Sequence, residues 1–328
     1  MKVSELGEFP LIDLLAGVLG PAGGEVVVGI GDDAAAWRCG DSTVLLTTDC
    51  LVQDVHFRLK DVSFRELGWK ALAVNTSDIA AMGGQPQYAV VSLCLPGDTE
   101  SEAMTELYRG LAEHAREFGI QVVGGNVSAA PVLMVSVALV GQGGKRLLLR
   151  SAARPGDQVA VTGQLGGAAA WLRMLDEGLA LDKKAANALR RAHLRPQPRV
   201  KEGQALVERG VLAAIDICDG LVADLGHVCQ ASGVQARIRA DLVPVHPVVR
   251  RAFPHDWLRL ALAGGEDYEL LFTAPAEVMS GLDKALGCPV TVVGDVLSGE
   301  PGRVTVVDSA SKEIAWDKGG WQHFATGR

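Results

Sequence analysis

The chain has 328 residues, 48% of them hydrophobic, enough to bury a substantial core and long enough that two domains are the default expectation. A formal net charge of -8 argues against a nucleic-acid surface, where lysine and arginine must neutralise phosphates. The longest clean apolar runs, such as Val132 to Val140 with Ser136 inside, fall far short of the roughly 20 residues that cross a bilayer, so no membrane partner is expected.

Along the chain, Met1 to Leu11 carries Glu5 and Glu8 and lacks a basic segment followed by an apolar one, so no signal peptide is visible. Val26 to Ile30, Val44 to Thr48, Tyr88 to Leu95, Gln121 to Val123 and Val132 to Val140 are predicted strands, rich in Val, Ile and Leu and bounded by glycine or proline. A helix is predicted from the capping-box pattern Ser63-Phe64-Arg65-Glu66 to Gly83-Gly84. A second opens at Thr99 with Glu102 three residues on, and its apolar residues Met104, Leu107, Tyr108, Leu111, Ala115 and Phe118 keep helical spacing up to Gly119. Together these make an α/β domain.

A turn-forming stretch, Ser151 to Asp157, opens a second unit. Its predicted strands are Gln158–Thr162, Val211–Ile215, Gln235–Ala240, Tyr268–Thr273 and Val290–Val293; its helices are Ala168–Leu175, Gln197–Arg209, Leu221–Ala231 and Pro275–Leu286. The boundary is placed between residues 148 and 149, giving domains 1–148 and 149–328. Six cysteines, at 39, 50, 94, 218, 229 and 288, form no C-x-x-C pair and read as reduced thiols of a cytoplasmic protein.

Acidic or hydroxyl-rich clusters recur at the edges of these elements: Gly29-Ile30-Gly31-Asp32-Asp33, Thr47-Thr48-Asp49, Asn75-Thr76-Ser77-Asp78, Asp216-Ile217-Cys218-Asp219-Gly220 and Gly264-Gly265-Glu266-Asp267. Each alone reads equally as a turn or helix cap. Asp78 is harder to explain so, because a carboxylate near a helix C-terminus opposes the macrodipole unless it is paired or solvated. Converged, such carboxylates repel, and divalent cations bridging phosphates would hold them together. No G-x-x-x-x-G-K-[ST], no dinucleotide G-x-G-x-x-G after a strand, no H-E-x-x-H and no G-x-S-x-G is present.

In order, the runs Gly29 to Ala35, Thr47-Thr48-Asp49 through His56-Phe57, Lys70 to Gly83, Asp216 to Leu221, Gly264 to Leu270 and Trp321 to Phe324 resemble the thiamine-monophosphate kinases. The resemblance implies a two-domain α/β (α+β) fold of the aminoimidazole ribonucleotide synthetase type. Each domain would be a mixed sheet with helices packed on it, and the N-terminal sheets would pair in a homodimer. It implies transfer of the ATP γ-phosphoryl to thiamine phosphate with the help of several Mg2+ ions. Carried over by motif, Asp33, Thr47, Thr48, Asp49, Asp78, Asn126, Asp216 and Asp219 would bind metal; Tyr108, Gly125, Asn126, Arg150 and Cys218 would line the nucleotide site; His56, Glu266 and Trp321 would contact thiamine phosphate. No general base is assigned.

Two positions depart from the family pattern. Gly124-Gly125-Asn126 stands where the family often has a third-place aspartate, and Cys218 where it often has serine between the two aspartates. Within the superfamily, selenophosphate synthetase would want a reactive Cys or Sec before Gly29, and the hydrogenase-maturation relative a C-terminal cysteine; neither is here. A non-catalytic nucleotide-binding regulator is the reading from another class.

Overall fold

The computed structural model describes residues 2–20, 22–315, 320 and 323. The chain begins with helices α1 (Val3–Leu6) and α2 (Glu8–Leu19), then β1 (Val26–Val28), β2 (Ala35–Cys39), β3 (Ser42–Val52), α3 (Phe64–Ala81), β4 (Gln85–Leu95), α4 (Ser101–Phe118), β5 (Gln121–Ala129) and β6 (Met134–Gly143). A passage of residues 144–157, with a 3-10 turn at Arg150–Ala152, leads to β7 (Gln158–Thr162), α5 (Gly167–Asp176), α6 (Lys183–Leu194), α7 (Val200–Glu208), β8 (Ala213–Asp216), α8 (Leu221–Ser232) and β9 (Gln235–Arg239). The remainder comprises α9 (Pro247–Ala252), α10 (Trp257–Ala263), β10 (Leu270–Ala274), α11 (Ala276–Met279), α12 (Leu282–Ala285), β11 (Val290–Leu297) and β12 (Val304–Val307).

These strands form two mixed sheets, in the orders β1-β2-β3-β6-β4-β5 and β12-β9-β11-β7-β10-β8. In the first, β4 and β5 run parallel and the other pairs antiparallel. Alternation sets its faces: Leu45, Val91, Val137 and Leu139 are fully buried and pack with Leu67, Leu72 and Ile79 of α3. The opposite face and the β5 edge leave Leu46, Tyr88, Val90, Val123 and Val127 exposed.

Helix α3 starts as expected. The Ser63 hydroxyl accepts from Glu66 N (3.3 Å), and the Glu66 carboxylate accepts from Ser63 N (3.1 Å). Helix α4 packs on α3 through paired glycines: a Cβ at Gly68 would lie 1.8 Å from Leu107 O, and one at Gly110 1.8 Å from Arg65 O. From the C-terminal half, α6, α7 and β8 also meet α3, so this helix is buried by both sheets' layers.

Several elements depart from expectation. β5 runs through Gly124 and Gly125, which composition treats as a strand end; a Cβ at Gly125 would lie 2.0 Å from Val91 O, so glycine permits the pairing with β4. The expected helix Pro275–Leu286 divides into α11 and α12, with left-handed Gly281 (φ 89°) opening the second piece. The expected helix from Gln197 starts at Val200, two residues after Pro198. Helices α1, α2, α6, α9 and α10 and strands β2 and β12 lie outside the sequence-based expectation. No helix among the described residues is long and apolar enough to cross a membrane.

The α3–α4 contact predicts that Gly110→Ala destabilises the fold by about 1–3 kcal/mol through overpacking, read as a lower urea midpoint. Gly17→Ala on α2, with nothing within 4 Å of the added Cβ, should leave it unchanged or slightly raised.

Candidate active site

Strand alternation turns Thr47 and Asp49 of β3 toward α3. There the Thr47 hydroxyl donates to Asp78 Oδ2 (2.6 Å), and Asp49 N donates to Asn75 Oδ1 (3.0 Å). Asp33, on the turn after β1, and Asp216, at the end of β8, close on the same point. Single carboxylate oxygens of Asp33, Asp78 and Asp216 lie within 4.8 Å of one another. The Ser77 hydroxyl donates to Asp216 Oδ2 (2.6 Å), which ties α3 to the second sheet. Asp33 Oδ2 and Asp216 Oδ1 are buried and accept no hydrogen bond.

Such an arrangement is costly without a counter-charge. Two like charges 4 Å apart repel by about 4 kcal/mol at an effective dielectric of 20. Burial, reinforced by Asp33, pushes the Asp216 carboxyl up to about 8. Burial, with Asp49, Asp216 and Asp33 adding, drives Asp78 well above the usual carboxylate range. Burial likewise raises Asp33 and Asp49. The Arg150 guanidinium pairs with Asp33, and Arg150 N donates to Asp32 Oδ2 (3.2 Å). An all-oxygen donor set with two bare buried oxygens suits a hard divalent cation.

A second group sits at the start of α8, where Cys218, Asp219 and Asp224 offer ligand atoms within 4.8 Å of one another. Asp224 was missed by sequence reading. It accepts from Gly220 N (2.9 Å) and Asp219 N (3.2 Å), so its first role is to satisfy free amides of the helix N-terminus. Burial, then Glu8 of α2, raises Asp219 to about 7. Glu8 Oε2 also accepts from His323 N (2.9 Å), so the first long helix lies beside this corner.

Glu266 forms a third group, on the loop between α10 and β10. Its backbone is left-handed (φ 68°), unusual for a residue with a side chain and a mark of local strain. Glu266 N donates to Cys218 O (2.8 Å), fixing this loop to the exit of β8. Its carboxylate meets Lys70 Nζ at 2.7 Å and His193 Nδ1 at 2.9 Å. Lys70 and His193 were not anticipated, although a lysine inside the apolar window Trp69-Lys70-Ala71-Leu72 was a signal. His56 faces the same group: its Nδ1 accepts from Val52 N (3.0 Å), which leaves Nε2 to carry the proton, and its ring meets His323 at 5.2 Å. Burial, then His323, lowers the His56 pKa, which keeps it neutral.

Other expected residues stand apart. Thr48 points to the opposite face of β3 and donates to Val137 O (2.9 Å). Asn126 lies in the row Cys50–Ser136–Ser92–Asn126 across β3, β6, β4 and β5, three strand spacings or about 14 Å from β3. Its amide donates to Ser128 Oγ (3.0 Å). Gly125 shares that edge strand, and Tyr108 is 40% exposed on α4. One chain thus does not bring Thr48, Tyr108, Gly125 or Asn126 to the carboxylate cluster. Trp321 lies outside the described residues.

Residues 31–142 match the AIR synthase related protein N-terminal domain, and residues 154–307 its C-terminal domain. The Escherichia coli (strain K12) thiamine-monophosphate kinase is 39% identical, over 98% of this chain and 99% of its own. The chain belongs to the thiamine-monophosphate kinase family. The Aquifex aeolicus thiamine-monophosphate kinase is 37% identical over 99% of this chain and 100% of its own. A solved structure of AaThiL complexed with AMPPCP and TMP superposes with a TM-score of 0.88 at 36% identity, covering 98% of this chain and 99% of that one. This member of the thiamine-monophosphate kinase family therefore has the expected two-part aminoimidazole ribonucleotide synthetase-like fold, each part a mixed sheet with helices packed on it.

The crowded carboxylates predict how stability follows pH in chelator. Burial holds the Asp216 proton up to about pH 8 in the folded state, whereas the unfolded chain releases it near the ordinary aspartate value of 3.8. Folding takes up a proton between these values, so stability falls as pH rises through that window. Asp216→Asn should flatten the fall in thermal melts. Asp78→Asn should melt no lower than the parent in chelator, yet lose nearly all activity with magnesium present.

Proposed function

We propose that the chain transfers the γ-phosphoryl of ATP to the phosphate of thiamine phosphate, releasing thiamine diphosphate and ADP. The carrying observation is the near full-length match to AaThiL complexed with AMPPCP and TMP, at 36% identity. The new bond joins an acceptor phosphate oxygen to the γ-phosphorus, and the bond to the β,γ-bridging oxygen breaks. The acceptor's second pKa is near 6, so it is largely deprotonated at neutral pH and needs no general base. The obstacle is repulsion between two anions, and the protein's task is positioning and charge neutralisation.

We assign Asp33, Asp49, Asp78 and Asp216, with Thr47 and Asp219, to hold Mg2+ ions. When bound, such ions neutralise phosphate oxygens shared by donor and acceptor. The bare oxygens Asp33 Oδ2 and Asp216 Oδ1 support this assignment. Arg150, paired with Asp33, is assigned to the ATP phosphates. His56 and Glu266 receive thiamine phosphate, together with Trp321. We assign the Cys218 backbone, whose carbonyl accepts from Glu266 N, to the nucleotide site.

We assign residues 1–148 to metal binding, ATP binding and dimerisation, and residues 149–328 to completion of the nucleotide and substrate site. The exposed apolar face and edge of the first sheet support a homodimer formed there. Asn126, Gly125 and Tyr108, remote from their own cluster, would then serve the neighbouring subunit's site, as would Thr48 on the same face of the sheet. The six free thiols accord with a cytoplasmic enzyme.

Incubation with ATP, magnesium and thiamine phosphate should yield thiamine diphosphate and ADP in equal amounts. ATP binding without product would favour the non-catalytic regulator instead. Asn126→Asp should restore a charged ligand and lower the magnesium concentration for half-maximal rate; an unchanged titration would remove Asn126 from the metal site.

A further inference from the structure

Lys70 is 2% exposed, and a lysine so buried needs its charge met by partners. Its Nζ lies 2.7 Å from Glu266 Oε1 and 3.4 Å from His193 Nε2, while His193 Nδ1 lies 2.9 Å from Glu266 Oε2. The three side chains close a ring. Lysine has only donors, so His193 Nε2 must accept from it; Nδ1 is then the protonated nitrogen and lies against Glu266 Oε2 at ion-pair distance, without an aligned hydrogen bond. Burial, then Lys70, lowers the His193 pKa, in keeping with this neutral tautomer. Burial opposes ionisation of Glu266, but Lys70 and His193 outweigh it and hold the carboxyl below the usual range. The Glu266 side chain still keeps 23% of its surface open, beside His56.

The ring is also anchored to the reaction centre from two directions. Lys70 and Asp78 sit on one helix, eight residues or about 12 Å apart. The Glu266 loop is bonded to the exit of β8, which carries Asp216 and Asp219: Glu266 N donates to Cys218 O (2.8 Å) and Tyr268 N to Ile217 O (2.9 Å). A carboxylate held this way has one orientation relative to the cluster, whereas a free glutamate would sample several rotamers.

We propose that Lys70 and His193 are positioning residues that hold Glu266 as a fixed carboxylate for the organic, cationic end of thiamine phosphate, an inference that rests on the substrate reading of Glu266 above. Neither reaches the transferred phosphoryl group in this role. Removing either leaves ATP binding intact and weakens the hold on thiamine phosphate.

Steady-state kinetics on the full chain, varying each substrate in turn, test this. Glu266→Gln should raise the KM for thiamine phosphate about tenfold or more, the value of a hydrogen bond to a charged group, with the ATP KM unchanged. Lys70→Met and His193→Leu should do the same. His193→Asn, which keeps a donor for Glu266, should recover most of the loss. Lys70→Met combined with Glu266→Gln should be no worse than Glu266→Gln alone. If Glu266→Gln leaves the thiamine phosphate KM unchanged, the substrate reading itself fails. If Glu266→Gln raises it but His193→Leu does not, or if His193→Leu lowers only kcat and melting temperature, the positioning role is wrong. Should Lys70→Met not fold, the two His193 variants decide the matter.

Discussion

Helix α3 is buried by both layers of the molecule and yet carries an unbroken polar run near its end. Burying a polar group without a partner costs several kcal/mol, so each must find one. Between them they draw on β3, α4, the second sheet and the helix itself. Asn75 accepts from Asp49 N on β3 and donates to Ala71 O; the Thr76 hydroxyl meets Leu72 O and His114 of α4. Ser77 donates to Asp216, Asp78 accepts from Thr47, and Lys70 meets Glu266. Satisfying this one helix therefore draws the first sheet, α4 and the second sheet's strand exits to a common place.

The same constraint makes the site. Ser77 and Asp216 join the two halves by a hydrogen bond between buried groups, and one oxygen each of Asp33 and Asp216 is left buried without a hydrogen-bond partner. A fold could relieve this with hydrophobic replacements at little cost. Retaining the carboxylates keeps a crowding that the proposed Mg2+ ions would relieve on binding. Arg150, on Asp33, relieves part of it meanwhile.

Much of the framework could be read in advance. The capping box at Ser63, the left-handed Gly119 after α4 and the Val- and Leu-rich strands use local rules, and these elements formed within a few residues of expectation. The failures lie where local rules give no signal. β5 passes through two glycines because its backbone approaches Val91 too closely for a side chain, a fact about a neighbouring strand. α2 presents Leu14, Leu15, Val18 and Leu19 to solvent, so no alternation of apolar and polar residues marked it.

For the site, the ordered motifs were enough to name the family and most of its carboxylates, because metal and phosphate chemistry restricts which residue types can serve. Sequence did not show which carboxylates meet. Strand alternation sends Thr47 and Asp49 inward and Thr48 outward, and the sheet order puts Asn126 at the far edge from β3. Nor did it reveal Lys70, His193 or Asp224, whose partners lie 196, 73 and 4 positions away and whose roles exist only as contacts. Residue type determined what chemistry the chain could perform; tertiary packing alone decided where it is assembled, since burial and proximity are properties of pairs.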